Sequence, residues 1–254
     1  MIPARKSARF VRWFTRQVEK RIRADFSAVH IRGEETLRAA LERGPVLVVA
    51  NHTAWWDPML AIYLAYRRIG ADAFAMMDAK NLKRLPFLGR TGGFGFHLDD
   101  PTDRRRVLKY AADLLSESES NRLVWIFPEG AERPRALNVD VFRPGAAIIA
   151  KWVQGSRPVS VVPVGLRYEF RNAARPEAFI SIGDPVPPQD DVTAAAEAQR
   201  SAVRAELACI DRFVMRESET DGFVRALHRS PSRLSAAAER MLSFFTRYPK
   251  EATP

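Results

Sequence analysis

His52 and Asp57 are the side chains whose types and setting best fit acid–base chemistry. They belong to the segment Asn51-His-Thr-Ala-Trp-Trp-Asp57, which follows an apolar run at residues 46–50 that is typical of a buried strand. A carboxylate that hydrogen-bonds one imidazole nitrogen fixes the tautomer and leaves the other nitrogen free as a general base. On one continuous α-helix the two side chains would point about 140° apart, so a working pair requires a turn between them.

The same two residues also have an interpretation without catalysis. Asp57 would cap a helix that opens with Pro58, and His52 would be a hydrogen-bonded turn residue. The spacing alone does not decide between the two interpretations.

A second group of charged residues follows another predicted strand, at residues 123–127. The segment Phe127-Pro-Glu-Gly-Ala-Glu-Arg-Pro134 contains Glu129, Gly130, Glu132 and Arg133. Open α/β sheets place their ligands outside the carboxyl ends of the strands, so we expect these residues near His52. Glu129 would either bind a hydroxyl group or hold a loop.

Strands alternate with helices along the chain. The predicted strands lie at residues 46–50, 73–77, 123–127, 159–164 and 179–182, and the predicted helices at 59–68, 104–116, 145–153, 189–217 and 233–247. A polar loop carrying Lys80, Asn81, Lys83 and Arg84 is expected after the second strand. This order predicts an α/β fold with a mixed, mostly parallel sheet flanked by helices.

The predicted organisation is a single domain over residues 1–254. It comprises a basic amphipathic N-terminal helix at 1–28, a catalytic α/β core at about 44–185, and C-terminal helices at about 189–250. The chain is 46% hydrophobic and 28% charged, which excludes a largely disordered protein.

The cysteine count and the lengths of the apolar runs limit which cellular compartment and which cofactors we expect. The lone Cys209 forms no internal disulfide and no cysteine-based metal site, so neither a metal nor an oxidising compartment is expected. The longest apolar run, residues 59–66, is far shorter than the roughly 20 residues that cross a bilayer. The N-terminal residues have no uninterrupted apolar core, so we expect no secretory signal and a cytoplasmic protein.

The net charge of +10 is concentrated at the two ends of the chain. Residues 1–24 contain eight basic residues and one acidic residue, and residues 223–250 contain six and one. Cationic ends favour an anionic partner: a lipid surface, an acidic carrier protein or a nucleic acid. We expect no nucleic-acid partner, because no recognisable binding motif is present.

The N-terminal segment has the periodicity of an amphipathic helix. Its apolar stripe consists of Val11, Phe14, Val18 and Ile22, with arginines between them. One interpretation is a helix in the membrane interface, with Trp13 and Phe10 at the headgroup level. The other is a surface helix whose stripe packs on its own domain.

Four ordered blocks across residues 51–166 resemble the glycerolipid acyltransferase family of PlsC type, within the lysophospholipid acyltransferase superfamily. The blocks are NHTAWWD at 51–57, Lys80-Asn-Leu-Lys-Arg-Leu-Pro-Phe-Leu-Gly89 leading into Gly92-Gly-Phe-Gly-Phe-His97, FPEG at 127–130 with Phe142-Arg-Pro-Gly-Ala146, and Val162-Pro-Val-Gly-Leu166. Four blocks in order are a much more specific signal than any one of them.

The resemblance implies transfer of an acyl group from acyl-CoA or acyl carrier protein, as cosubstrate, to a lipid hydroxyl. His52 would take the hydroxyl proton, Asp57 would orient the imidazole, and the alkoxide would attack the thioester without an acyl-enzyme. The absence of a G-x-S-x-G motif agrees with direct attack. Lys80 and backbone amides near Gly130 are the candidate oxyanion donors.

The candidate acceptor-binding residues come from the second and third blocks. They are Gly93, Phe94, Glu129, Glu132 and Arg133. The implied acceptor is lysophospholipid-like, and the implied location is the anionic surface of the cytoplasmic membrane, to which the enzyme would bind peripherally.

Two departures from the family pattern bear on the acceptor. The second block reads Phe96-His-Leu-Asp99 where a basic residue is usual, and the third reads Glu129-Gly-Ala-Glu132 where Glu-Gly-Thr-Arg is usual. A carboxylate repels a phosphate dianion, although Arg133, Arg135 or Arg143 would substitute if the geometry allows. The alternatives are a non-phosphate acceptor, such as a glycosylated terpenoid or an amino-acid lipid, or a non-catalytic lipid-binding protein.

Overall fold

One mixed sheet organises the protein, which we describe from a computed structural model. The structure describes residues 1–117, 121–133, 139–171, 174–216 and 222–228. Within these residues the sheet has eight strands: β1 (Ala28–Arg32), β2 (Val46–Ala50), β3 (Asp72–Asp78), β4 (Gly93–Phe96), β5 (Arg122–Ile126), β6 (Ser160–Glu169), β7 (Glu177–Ile182) and β8 (Val224–His228). Their spatial order is β4-β3-β5-β2-β6-β7-β1-β8.

The sheet is mostly parallel, as the sequence predicts. The neighbours β4–β3, β3–β5, β5–β2, β2–β6 and β7–β1 are parallel, and β6–β7 and β1–β8 are antiparallel. The carboxyl ends of β2, β5, β3 and β4 therefore lie in sequence along one edge.

Helices cover both faces of the sheet. They are α1 (Ala8–Asp25), α2 (Glu34–Arg43), α3 (Asp57–Ile62) continued by a π-helical segment (Tyr63–Ile69), α4 (Ala79–Arg84), α5 (Phe87–Arg90), α6 (Pro101–Ser116), α7 (Gly145–Gln154) and α8 (Val192–Arg216). One apolar core packs α1, α2 and α3 against the sheet, and a second packs α6, α7 and α8 against the other face.

Most of the predicted strands and helices within the described residues are confirmed, and the predicted polar loop is wrong. The polar segment that contains Lys80 is the helix α4 rather than a loop. The side chain of Asp78 caps this helix by accepting a hydrogen bond from the Lys80 amide at 2.8 Å. The contact between α4 and the sheet buries Ala79 and Leu82, so two apolar residues hold this short polar helix in place.

The apolar stripe of the N-terminal helix packs inside the protein. Val11, Val18 and Ile22 are buried against the protein's own core, so the stripe packs on its own domain. Phe10 and Trp13 lie beside this stripe. Trp13 is 54% exposed to solvent.

The C-terminal region is only partly described. The long helix expected at 189–217 forms as α8, and the strand β8 lies within the region expected to be helical. The helix predicted at 233–247 lies outside the described residues. Among the helices of the described ranges, none combines the length and apolarity that a membrane span requires.

Candidate active site

His52 and Asp57 meet directly after β2. The Nδ1 atom of His52 lies 2.7 Å from Oδ2 of Asp57, whose side chain is fully buried. The backbone turns between them, since the amide of Asp57 donates to the carbonyl of Ala54 at 3.0 Å. The required turn is therefore present, and the two side chains form a hydrogen-bonded pair.

The carboxylate of Asp57 accepts three further hydrogen bonds. Its Oδ2 accepts from the amides of Thr53 at 2.6 Å and Ala54 at 2.9 Å, and its Oδ1 accepts from the hydroxyl of Tyr168 at 2.6 Å. Such a set of donors stabilises a buried negative charge. The carboxylate points back to residues 52–54 and not to the first amides of α3, so the capping interpretation is wrong.

The ring of His52 has a defined tautomer. Because the Asp57 carboxylate accepts at Nδ1, the proton lies on that nitrogen and Nε2 has a free lone pair. No described residue hydrogen-bonds Nε2. The ring stacks on Phe127 with centroids 4.6 Å apart, and 22% of the side chain remains exposed. The imidazole is thus oriented from two sides, with its basic nitrogen unpaired.

His52 lines a cavity of about 940 Å³ at the carboxyl edge of the sheet. Its apolar walls come mainly from α3 with its π-helical continuation, from β3 and α5, and from the second core. Of the aromatic residues in the motifs, Trp55, Phe87, Phe96 and Phe127 line it. This volume accommodates a long aliphatic chain beside the imidazole.

Glu129 supports the backbone of His52 from outside the cavity. Its Oε1 atom accepts a hydrogen bond from the His52 amide at 2.7 Å, and its side chain is buried. Burial raises the pKa of Glu129, and the bond from the His52 amide opposes that shift. Of the two roles expected for Glu129, this contact matches the holding of a loop.

Arg133 supports the same backbone segment. Its amide donates to the His52 carbonyl at 2.8 Å, and its guanidinium lies 4.0 Å from Oε2 of Glu129. The Arg133 side chain is exposed and is absent from the cavity wall. The third block therefore braces both backbone groups of His52, and the guanidinium of Arg133 does not line the cavity.

Gly130 and Arg143 form one wall near the imidazole. Gly130 has a φ of 70°, and a Cβ there would lie 2.9 Å from Nε of Arg143. The Gly130 amide donates to the Phe127 carbonyl at 3.0 Å, so it is engaged within its own turn. Arg143, which also lines the cavity, makes no ion pair with any described carboxylate.

Glu132 lines the cavity close to the catalytic pair. Its side chain is exposed and forms no ion pair within the described ranges. Burial raises the pKa of Tyr168 well above its usual value, and the charges of Asp57 and Glu132 add to the effect. The Tyr168 hydroxyl therefore stays protonated and remains a donor to Asp57.

The remaining candidates are distributed differently. Gly93 lines the cavity, and a Cβ there would lie 2.7 Å from the Leu88 carbonyl oxygen. Phe94 is fully buried in the second core and packs on Tyr110, which corrects its expected place in an acceptor site. Lys80 is exposed on α4 and does not line the cavity, so its position gives no support to an oxyanion role.

Tyr168 extends the predicted site, and of the arginines considered above that the structure describes, Arg143 lies in the cavity wall and Arg133 does not. Tyr168 lies 111 residues from Asp57 in sequence, near the end of β6, and nothing in its local pattern marks it. The fourth block, Val162 to Leu166, immediately precedes it and provides the only nearby signal. Cys209 is buried on α8 and does not line the cavity.

Comparison with known proteins decides the family. Residues 28–167, more than half of the chain, match the family model described as Acyltransferase. The chain belongs to the acyltransferase family. The protein is therefore an acyltransferase, and the family that the four ordered blocks predict is confirmed at this level.

A solved structure shares this fold. It is the crystal structure of the 1-acyl-sn-glycerophosphate (LPA) acyltransferase PlsC from Thermotoga maritima, with a TM-score of 0.57 and 18% identity. The match covers 79% of this chain and 81% of the other. No curated protein sequence matches the chain.

Proposed function

We propose that this acyltransferase moves a fatty acyl group from a thioester to a lipid hydroxyl at the membrane surface, with His52 as general base. The observation that carries the proposal is the hydrogen bond of 2.7 Å between His52 and the fully buried Asp57, beside a cavity of about 940 Å³. The family membership supports acyl transfer, and the geometry supports these two residues as its catalytic pair.

The proposed reaction needs no covalent intermediate. Nε2 of His52 takes the proton of the acceptor hydroxyl while its oxygen attacks the thioester carbonyl. Asp57 stabilises the imidazolium that forms. The carbon–sulfur bond then breaks, and the imidazolium returns its proton to the departing thiolate, which leaves an ester and a free thiol.

The tetrahedral oxyanion requires donors on the wall that faces His52. Arg143 is our candidate, because its guanidinium lies against Gly130 and lines the cavity without a carboxylate partner among the described residues. The amides of Ala131 and Glu132, which donate to no described acceptor, would add backbone donors. The lack of a side chain at Gly130 lets the Arg143 guanidinium occupy this position, since any Cβ there would displace the guanidinium.

The acceptor is proposed to be lysophospholipid-like, held where Glu132 and Arg143 line the cavity. The second candidate is a non-phosphate acceptor, such as a glycosylated terpenoid or an amino-acid lipid. Glu132 favours this second candidate, because its charge disfavours a phosphate dianion and attracts hydroxyl or ammonium groups.

Peripheral attachment to the anionic, cytoplasmic face of a membrane is the remaining part of the proposal. Phe10, Trp13 and Phe14 form a chain of ring contacts that continues to Phe87, a cavity residue. Basic residues Arg9, Arg12 and Arg16 are exposed on the same helix. Aromatic groups beside cationic groups are typical of interfacial helices, and here they would place the cavity next to the lipid.

The test incubates the purified protein with radiolabelled acyl-CoA and a panel of lipid hydroxyls, and repeats the assay with His52→Ala. We expect labelled ester with at least one lipid and almost none with the variant. Undiminished product with His52→Ala would remove the proposed base. No product with any acceptor from acyl-CoA or acyl carrier protein would favour the lipid-binding alternative.

A further inference from the structure

A set of basic side chains lies at the end of the cavity that is far from His52. Arg84 on α4 and Arg104 on α6 both line the cavity, and Lys83 adjoins Arg84. We call Lys83, Arg84 and Arg104 the basic rim. All three are exposed, and none forms an ion pair with a carboxylate of the described residues.

His97 connects the two helices that carry the basic rim. Its Nδ1 lies 2.8 Å from the buried Asp103, and its Nε2 lies 3.4 Å from Nζ of Lys83. Because the Asp103 carboxylate accepts at Nδ1, Nε2 has a lone pair that accepts from the Lys83 ammonium. His97 therefore positions Lys83 at the turn between β4 and α6.

The acidic groups close to the basic rim are mostly engaged in other contacts. Asp78 accepts from the Lys80 amide, and Asp100 accepts from the Thr102 amide at 2.9 Å. Asp103 is bonded to His97 and to the amino group of Met1. Asp78, Asp99 and Asp100 keep their negative charges near the rim, but no described carboxylate forms an ion pair with Lys83, Arg84 or Arg104, so the remaining donors of these side chains are open to a phosphate.

The distance between the rim and the catalytic base follows from the sheet. His52 follows β2, whereas His97 follows β4, and the order β4-β3-β5-β2 puts three strand spacings between them. At about 4.8 Å per spacing, the strand ends that lead to His52 and His97 are roughly 14 Å apart. A ligand that reacts at His52 and binds the rim must be able to span this distance.

The pantetheine arm of a thioester donor has the required length. About thirteen bonds separate its sulfur from its phosphate, which gives roughly 16 Å in extended form at the rise of a polypeptide backbone. In a lysophosphatidic acid the hydroxyl and the phosphate are only about 5 Å apart. An acceptor that reacts at His52 therefore places its phosphate far from the rim.

We propose that Lys83, Arg84 and Arg104 bind the phosphate at the end of the donor's pantetheine arm, with His97 positioning Lys83. This inference rests on the proposed transfer from a thioester, and it names a separate site for the donor. The phosphate is common to coenzyme A and acyl carrier protein. Guanidinium groups suit it, since they make charge-assisted bidentate bonds with phosphate oxygens.

The first test compares three donors with the same acyl chain: acyl-CoA, acyl-4′-phosphopantetheine and acyl-pantetheine, which has no phosphate. We expect kcat/KM of the wild type to fall about tenfold or more when the phosphate is absent. The double variant Arg84→Ala/Arg104→Ala should lose this preference and retain the acyl-pantetheine rate. Arg105→Ala, an exposed arginine of α6 that does not line the cavity, is the matched control.

Three results of this comparison would overturn the proposal, and the first two concern the double variant. One is a double variant that keeps the wild-type preference for the phosphorylated donors. The other is a raised KM for the acceptor with unchanged donor constants, which would assign the rim to the acceptor. Acyl carrier protein as donor should show the same loss as acyl-CoA, and a loss confined to either donor would also contradict recognition of the shared phosphate.

A second measurement does not depend on catalysis. Binding of free coenzyme A to the full chain, followed by isothermal titration calorimetry, should weaken about tenfold in the double variant and remain unchanged in Arg105→Ala. Such weakening in a protein that transfers no acyl group would support the site and reject the proposed function. Equal affinity of the double variant and the wild type would reject the site, whatever the activity.

Discussion

The hydroxyl of Tyr168 donates a hydrogen bond to Oδ1 of Asp57 at 2.6 Å, on the side of the carboxylate that faces away from His52. Asp57 is thus held between β6 and the turn after β2. This hydrogen bond orients the Asp57 carboxylate, which in turn orients the His52 ring. Tyr168 therefore acts on the reaction through two successive hydrogen bonds.

Replacement of Tyr168 by Phe tests this relationship. The Tyr168→Phe variant loses one bond to a buried charge, and we expect kcat to fall about tenfold with an unchanged KM for the acyl donor. Steady-state kinetics would measure the change. Tyr110→Phe, in a residue that packs on Phe94, should keep the wild-type kcat. A Tyr168→Phe enzyme with full activity would show that this hydroxyl is dispensable.

Much of the framework that positions the pair was predictable from sequence. Strands β2 and β5 are short apolar runs, and they deliver His52 and the Glu129 segment to one edge. Strand β4, with the sequence Gly-Phe-Gly-Phe, was not predicted, because two glycines remove the apolar signal of a strand. Its formation depends on pairing with β3, which no local pattern records.

In the site, too, the residues that are close in sequence were predictable, and those brought together only by the fold were not. The spacing of His52 and Asp57 falls within one turn and could be read from the residues. Tyr168 and Arg143 reach the site from segments far along the chain, so only the fold brings them together. Phe94 was misassigned, because its sequence neighbour Gly93 lines the cavity while its own ring points into the core.

Glu129 predicts a pH dependence of stability. Its pKa is raised in the folded protein by burial, so the folded state binds a proton more readily than the unfolded chain. This contribution to stability is complete below the unfolded pKa and is lost as the pH rises through the folded pKa. Glu129→Gln keeps an oxygen acceptor for the His52 amide and removes the charge.

The measurement for Glu129 is the free energy of unfolding in urea, from mildly acid to neutral pH. Relative to Glu129→Gln, the wild type should lose stability as the pH is raised. A difference between the two proteins that stays constant across this range would contradict a raised pKa at Glu129.

Glu132 predicts the charge preference for the acceptor. In Glu132→Arg the repulsion of a phosphate dianion becomes attraction, and we expect kcat/KM for lysophosphatidic acid to rise about tenfold in low salt. The gain should shrink in 0.5 M salt, at roughly half the Debye length of physiological buffer. Rates with lysophosphatidic acid and with an uncharged glycolipid are the comparison. An unchanged ratio of the two rates would place the headgroup away from Glu132.

We expect Trp13 to contact the membrane. Its side chain is 54% exposed, so Trp13→Ala should lower the fraction bound to phosphatidylglycerol vesicles several-fold with little change in stability. Sedimentation of vesicles with bound protein measures this fraction. Trp152→Ala, at an exposed tryptophan on α7, is the control. Equal binding of Trp13→Ala and wild type would exclude the aromatic face of α1 as the contact.

The most direct test of the account is a double-mutant cycle on the catalytic pair. It compares kcat/KM of the wild type, His52→Ala, Asp57→Asn and the double variant, with His228→Ala as a control at an exposed histidine on β8. We expect each single change to cost roughly a thousandfold, and the double variant to be no slower than His52→Ala, because Asp57 acts only through His52. Losses that multiply in the double variant, or a His52→Ala enzyme with the wild-type rate, would contradict a working His52–Asp57 pair.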